Sequence, residues 1–269
     1  MTEGWIAPIN GSTRLVAIVG DPIAQVGSPG LINPRFTRAK VNAVLIPVHI
    51  PQAHFEVGMR GLMRVANLAG IIITVPFKHR AAAMVQTIGE TGQSVGGINA
   101  LRPEADGTWS GDMFDGAGLV RAVELAGRTV KDQRVLLLGA GGAGCAIAMG
   151  FAAAGCRSIT LSDPEADRVS ALADRVKRFY PNVAAAVGRP SAAGHDIVVN
   201  ASPVGMRPGD GLPAPLGQFD KATLVIDIIP YPKVTPLTRA AQEAGCQTIN
   251  GLDMLDAQAD TFLSYFRLV

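Results

Sequence analysis

Val135-Leu136-Leu137-Leu138-Gly139-Ala140-Gly141-Gly142-Ala143-Gly144 decides the fold. The apolar run fits a strand buried on both faces. The glycines after it read G-x-G-x-x-G and lead into a helical stretch, 143–154. In that setting Gly139 permits a tight turn, Gly141 lets the backbone approach a pyrophosphate, and Gly144 lets helix and strand pack closely. The helix N-terminus, with Gly142 and Ala143, offers N–H groups and a partial positive charge to phosphates. The bare pattern is weak in a chain with 31 glycines, and the strand–turn–helix context gives it its weight. The competing explanation is a tight turn with no ligand.

Further strands are expected at 158–161, 197–199 and 224–228, with helices at 165–179 and 235–244. This alternation is that of a doubly wound, parallel-sheet domain. N-terminal to it, the Val- and Ile-rich runs 15–19, 43–50 and 70–75 read as buried strands, with helices at 51–66 and 78–87. They predict a parallel sheet in a second α/β unit. The segment 254–266 reads as one amphipathic helix.

A length of 269 residues suits two domains, and 48% hydrophobic against 17% charged residues suits packed cores. A net charge of +2 without long runs argues against a nucleic-acid partner or a polybasic membrane surface. No apolar stretch reaches the roughly 18–20 residues of a membrane span. Met1-Thr2-Glu3-Gly4-Trp5 lacks the basic and apolar regions of a signal peptide. Cys145, Cys156 and Cys246 are odd in number and read as buried thiols in a reducing cytoplasm. His49, His54, His79 and His195 show no metal-ligand spacing, so no metal is expected.

Asp163 follows the strand at 158–161, where a carboxylate accepts from adenosine ribose hydroxyls and repels a 2′-phosphate. It points to NAD as cofactor, with NADP the alternative. Asp163 could instead cap the helix after Pro164, and both roles are compatible. Lys78 ends the strand-like Thr74-Val75-Pro76-Phe77, where open α/β sheets place their ligands. Partial desolvation would suit it to proton transfer, while an ordinary surface lysine is the simpler reading. Asp112 and Asp115 could each cap the next helix, and Asn99 could be a turn residue.

Taken together, the motifs resemble those of the shikimate/quinate dehydrogenases over nearly the whole chain and in the same order. Gly20-Asp21-Pro22-Ile23 and Ser28-Pro29 with Asn33 resemble the substrate-binding motif. Thr74-Val75-Pro76-Phe77-Lys78 resembles the segment carrying the catalytic lysine, and Gly97-Ile98-Asn99-Ala100 the turn whose Asn binds substrate. Gly111 to Gly116 resembles the segment whose aspartate, Asp115 here, pairs with the lysine. Asn200-Ala201-Ser202-Pro203-Val204-Gly205-Met206 resembles the loop beside the nicotinamide ribose. Asn250-Gly251-Leu252-Asp253-Met254-Leu255 with Gln258 resembles the return segment, where Gly251 and Met254 lie near the nicotinamide and Gln258 contacts substrate.

The resemblance implies a substrate domain over 1–114, a Rossmann dinucleotide-binding domain over 115–250, and a C-terminal segment, 251–269, returning to the first. It implies a hydride transfer between a nicotinamide cofactor and a ring hydroxyl of shikimate, quinate or a related alicyclic hydroxy acid, in a cleft between domains. Lys78 and Asp115 would be catalytic, and Ser28, Thr74, Asn99, Gln258 and Tyr231 would bind substrate. A homodimer is a candidate assembly. The alternative is a dinucleotide-binding regulatory protein or pseudoenzyme.

The departures fall at substrate recognition. The family's His-Ser-x-Ser-Pro reads Gln25-Val26-Gly27-Ser28-Pro29, and its Asn-Thr-Asp reads Met113-Phe114-Asp115. The tyrosine of its Asp-x-x-Tyr-x-Pro loop is Pro230, with Tyr231 one place later. Each lost hydrogen bond to a charged substrate group costs about 1.5–3 kcal/mol, so weakened shikimate use is expected.

Overall fold

The computed structural model describes residues 9–269, so the reading of Met1–Trp5 lies outside the described residues. The chain forms two compact units. One runs to Phe114 and takes in Ala259–Val269; the other is Asp115–Gln258.

The first unit comprises β1 (Arg14–Gly20), α1 (Ser28–Arg38), β2 (Ala43–His49), α2 (Phe55–Leu62), β3 (Leu68–Ile73), α3 (Lys78–Ala82), β4 (Thr87–Ile88), α4 (Glu90–Val95), β5 (Ala100–Pro103) and β6 (Trp109–Asp112). Its sheet runs β2-β1-β3-β5-β6-β4. β1 pairs in parallel with β2 and β3, but β5 is antiparallel to both β3 and β6, so the expected parallel sheet is in fact mixed. The β5–β6 hairpin alternates too weakly in hydrophobicity to be read from sequence. Its turn is set by Asp106, whose carboxylate accepts from the Thr108 N–H at 2.9 Å, and by Gly107 at φ +83°.

Helix boundaries also shift. The expected 51–66 helix is a short 3-10 turn, Gln52–His54, followed by α2, and the expected 78–87 helix stops at Ala82. The unexpected helix α1 carries Pro29 in its first turn, where a missing N–H is harmless, and a second proline, Pro34, within it. Asn33 ties α1 to β2: its side chain accepts from the Leu45 N–H at 2.7 Å and donates to the Leu45 carbonyl at 3.1 Å.

The second unit comprises α5 (Asp115–Leu125), β7 (Arg134–Leu138), α6 (Gly142–Ala153), β8 (Ser158–Ser162), α7 (Ala166–Phe179), β9 (Ala184–Val187), β10 (Ile197–Asn200), β11 (Leu224–Asp227), α8 (Pro236–Glu243), β12 (Gln247–Asn250) and the start of α9 (Gly251–Tyr265). Its strands are all parallel in the order β9-β8-β7-β10-β11-β12. This is the doubly wound 3-2-1-4-5-6 arrangement, with its switch point between β7 and β10. Helices α5 and α6 meet through glycines. A Cβ on Gly150 would lie 2.6 Å from the Gly116 Cα, so both positions exclude side chains.

The chain leaves the second unit later than residue 250, the boundary expected from sequence. It crosses inside α9, between Gln258 and Ala259. The start of α9 belongs to the second unit because Gly251 packs directly on the backbone of Ile228 and Ile229.

The end of α9 completes the core of the first unit. Phe262 and Phe266 stack 6.0 Å apart and join Val16, Ile18, Phe36 and Ile72 in one buried cluster. The Phe266 ring occupies the space a side chain at Gly70 would need, so β3 and the end of α9 are shaped for one another. Truncating a buried phenylalanine typically costs about 3–5 kcal/mol. Phe266→Ala should lower the denaturant midpoint by an amount in that range, with the slope of the urea transition unchanged.

Candidate active site

The glycine-rich turn forms as its spacing predicts. Gly139 sits at φ +98°, a left-handed conformation that suits glycine. A Cβ there would lie 2.9 Å from the Ala201 carbonyl carbon, so the turn also runs hard against the loop after β10. A Cβ on Gly144 would collide with the Gly139 carbonyl oxygen. Gly141 is different: a Cβ there would meet no atom within 4 Å. Open space therefore lies at the glycine that the G-x-G-x-x-G pattern expects to admit a ligand. Gly141 is also the N-cap of α6, and no side chain caps that helix start. An uncapped N-terminus beside open space fits the pyrophosphate of a dinucleotide.

Asp163 follows β8, and its side chain is only 7% exposed. Its Oδ2 accepts from the Ala140 N–H at 2.7 Å, and its Oδ1 from the Glu165 N–H at 2.9 Å. Arg168 stands 3.8 Å from Oδ1. The carboxylate thus braces the glycine turn and the entry to α7. Glu165, next along, is exposed and forms the N-cap of α7.

Beyond β10, the Asn200 Oδ1 accepts from the Ser202 N–H at 3.0 Å and the Ser202 hydroxyl at 2.7 Å. These two side chains shape their own loop. Gly251 and Met254 are both buried in the first turn of α9. Tyr231 is half exposed on the loop after β11. Sequence reasoning passes over Asp227 and Thr235, which meet across that loop at 2.7 Å. Their sequence signals are the aspartate that opens the Asp-x-x-Tyr-x-Pro loop and a threonine before a helix-opening proline.

In the first unit, three sequence-predicted residues gather at the carboxyl end of β3. The Thr74 N–H donates to the Val19 carbonyl at 2.9 Å, and the Thr74 carbonyl accepts from Phe77 at 3.1 Å. Lys78 opens α3, and its carbonyl accepts from the Ile98 N–H at 3.0 Å. Asn99 is buried, and its carbonyl accepts from Ile73 at 2.8 Å. The Asn99 Oδ1 accepts from the Phe114 N–H at 2.9 Å. Backbone bonds therefore fix Lys78 beside the segment that carries Asn99. Below them Phe77 stacks on Phe55 at 4.1 Å, with the Arg80 guanidinium 4.8 Å over the Phe55 ring. Ser28 is buried at the first turn of α1, on the segment that follows β1.

Asp115 begins α5 and is buried. The Gln258 amide donates to its Oδ1 at 3.1 Å. A Cβ on Gly118 would stand 2.9 Å from the Gln258 Cβ, so a glycine one helical turn along α5 admits the glutamine. The other aspartate of the motif, Asp112, has a separate task. Its Oδ1 accepts from the Gly92 N–H at 2.7 Å in the first turn of α4 and from Met113 at 2.8 Å.

The apolar replacements are absorbed by the core. Met113 is fully buried, and Val26 and Phe114 pack against the cluster around Phe262. Phe114 makes edge contacts with Phe262 at 6.0 Å and Tyr265 at 4.9 Å. Burial raises all three cysteine thiols above their ordinary range, Cys156 to about 12. Cys145 is only partly buried, less than the sequence suggested, because it lies in the first turn of α6.

The class these features define is a two-unit α/β protein with a dinucleotide-binding Rossmann sheet and a lysine-bearing companion sheet. The family profile of the shikimate dehydrogenase substrate binding domain matches residues 18–101, and that of the ThiF family matches 119–176. The shikimate dehydrogenase (NADP(+)) of Rubrobacter xylanophilus is 34% identical over 92% of this chain and 88% of its own length. A shikimate 5-dehydrogenase from Listeria monocytogenes, solved with shikimate and NAD, superposes with a TM-score of 0.85 at 25% identity, covering 96% of each chain. A quinate dehydrogenase from Corynebacterium glutamicum, solved with NAD, gives 0.79 at 25% identity over 95% of this chain and 93% of its own. The chain belongs to the shikimate/quinate dehydrogenase family.

The turn geometry makes a direct demand. Gly144→Ala forces α6 away from Gly139, and overpacking of this kind costs about 1–3 kcal/mol. Calorimetric titration with NAD should show affinity falling about tenfold or more, while Gly141→Ala, which meets no protein atom, still folds at the wild-type melting temperature.

Proposed function

We propose that this protein is a nicotinamide-dependent dehydrogenase acting on a ring CH–OH group of shikimate, quinate or a related alicyclic hydroxy acid. The observation that carries the reading is the fixing of Lys78 at the carboxyl end of β3. Its carbonyl is held by Ile98, one residue before the buried Asn99. The glycine turn with its open space at Gly141 supports the cofactor half.

A bound nicotinamide would supply the hydride acceptor or donor at the ring carbon. Lys78 Nζ takes the proton of the reacting hydroxyl in oxidation and returns it in reduction. Asp115, buried and held by the Gln258 amide, is the second catalytic residue of this reading. Ser28, Thr74, Asn99 and Tyr231 are the proposed hydrogen-bonding partners of the substrate's remaining polar groups, with Gln258 able to share in that role. Gly139, Gly141, Gly142, Ala143 and Gly144 take the pyrophosphate. Asn200, Ser202, Gly251 and Met254 take the nicotinamide end.

We infer a preference for NAD over NADP. Asp163, exposed Glu165 and Asp167 all lie at or just beyond the end of β8, with Arg168 the cation nearest Asp163. A 2′-phosphate brought there meets more negative than positive charge. The support for weakened shikimate use is that Val26 and Phe114 turn apolar surface into the core instead of offering hydroxyls.

General acid–base catalysis contributes about two to four orders of magnitude, so Lys78→Ala should lose turnover by that factor while NAD binds as before. Near-normal turnover in that variant removes the proposed role. Cofactor binding with no turnover on any ring hydroxy acid would favour a regulatory protein. Steady-state kinetics with each cofactor should give a higher kcat/KM for NAD, and equal values would overturn the preference.

A further inference from the structure

Asp227 closes β11 with no exposed surface, and nothing assigned above uses it. Its Oδ2 accepts from the Thr235 hydroxyl at 2.7 Å. Its Oδ1 accepts from the Ile229 N–H and the Asn200 amide, each at 3.1 Å. Burial pushes the carboxyl above its ordinary range, and these hydrogen bonds pull it back.

The three donors belong to three different segments. Asn200 ends β10, Ile229 begins the loop after β11, and Thr235 caps α8 with a reciprocal bond to Thr238. The Asn200 amide also donates to the Val204 carbonyl at 3.1 Å, while its oxygen holds Ser202. Gly251 then packs on the backbone of Ile228 and Ile229, which brings the start of α9 onto the same edge. One buried side chain thereby links the loops after β10 and β11, and β12–α9 stacks on them.

A doubly wound sheet binds its dinucleotide across the switch point, one mononucleotide to each half. The half built from β7, β8 and β9 carries the glycine turn and Asp163. The loops tied together by Asp227 belong to the other half. We propose that Asp227 is the positioning residue of the nicotinamide end of the site: it sets the loops beyond β10 and β11 without touching the cofactor. The inference rests on the dinucleotide reading above.

The test separates the two halves of the cofactor by calorimetric titration of the full chain with NAD and with ADP, which lacks the nicotinamide. Asp227→Ala should weaken NAD by about tenfold or more, since it strips acceptors from three buried donors, and leave ADP unchanged. Asp227→Asn keeps the volume and one acceptor oxygen, so it carries the test if the alanine variant fails to fold. It should weaken NAD by about threefold, again with ADP unchanged. An equal loss for both ligands, or a loss for neither, overturns the positioning role. Wild-type protein that binds ADP, NAD and NADP not at all removes the dinucleotide reading, and this inference with it.

Discussion

The second unit depends on how closely α6 can approach β7. The Gly144 Cα lies so near the Gly139 carbonyl that no side chain fits between them. That contact sets the height of the α6 N-terminus above the sheet. It also fixes where the N–H groups of Gly142 and Ala143 stand relative to Gly141. Asp163 reinforces the arrangement from the neighbouring strand by accepting the Ala140 N–H. The turn proposed to take the phosphates is therefore shaped by strand–helix packing, backbone geometry and one carboxylate.

The first unit solves a similar problem with different means. Its lysine is carried by α3, a helix too short to be stable alone. Stability comes from its surroundings: the Ile98 bond to the Lys78 carbonyl, the Phe55–Phe77 stack, and Arg80 lying over both rings while paired with Glu56 at 2.6 Å. The two units thus place the residues proposed for chemistry on helix starts after strands β3 and β7. That is where parallel strands present their open ends.

Sequence reasoning recovers the features that repeat locally. The strand–glycine–helix succession, the Val- and Ile-rich runs and the helix at the chain's end are all legible because periodicity and turn chemistry act over a few residues. Long-range pairings are not legible in that way. Gln258 meets Asp115 across 143 residues of chain, and Asp227 meets Thr235 across the loop after β11; no local pattern announces either pairing. Polar hairpins such as β5–β6 leave almost no apolar alternation, and α1 is masked by two prolines. Asp163 shows a third kind of limit. Its position was legible and its bonds were not, since a carboxylate at a strand end can serve a ribose, a helix cap or a glycine turn. In the structure it serves the last two.

The placement of the departures bears on how the chain can differ from its relatives while keeping their fold. Val26 and Phe114 stand where the family resemblance leads one to expect hydroxyls, yet both side chains are accommodated by the Phe262 cluster. Phe114 also donates its N–H to the Asn99 oxygen. The backbone at that position is fixed by Asn99, and only the side chain is free to change character. A polar-to-apolar exchange there adds packing to the core. The backbone bonds that frame Lys78 and Asn99 involve neither side chain. The groups proposed to move the proton therefore keep their backbone framing whatever side chain stands at Val26 or Phe114.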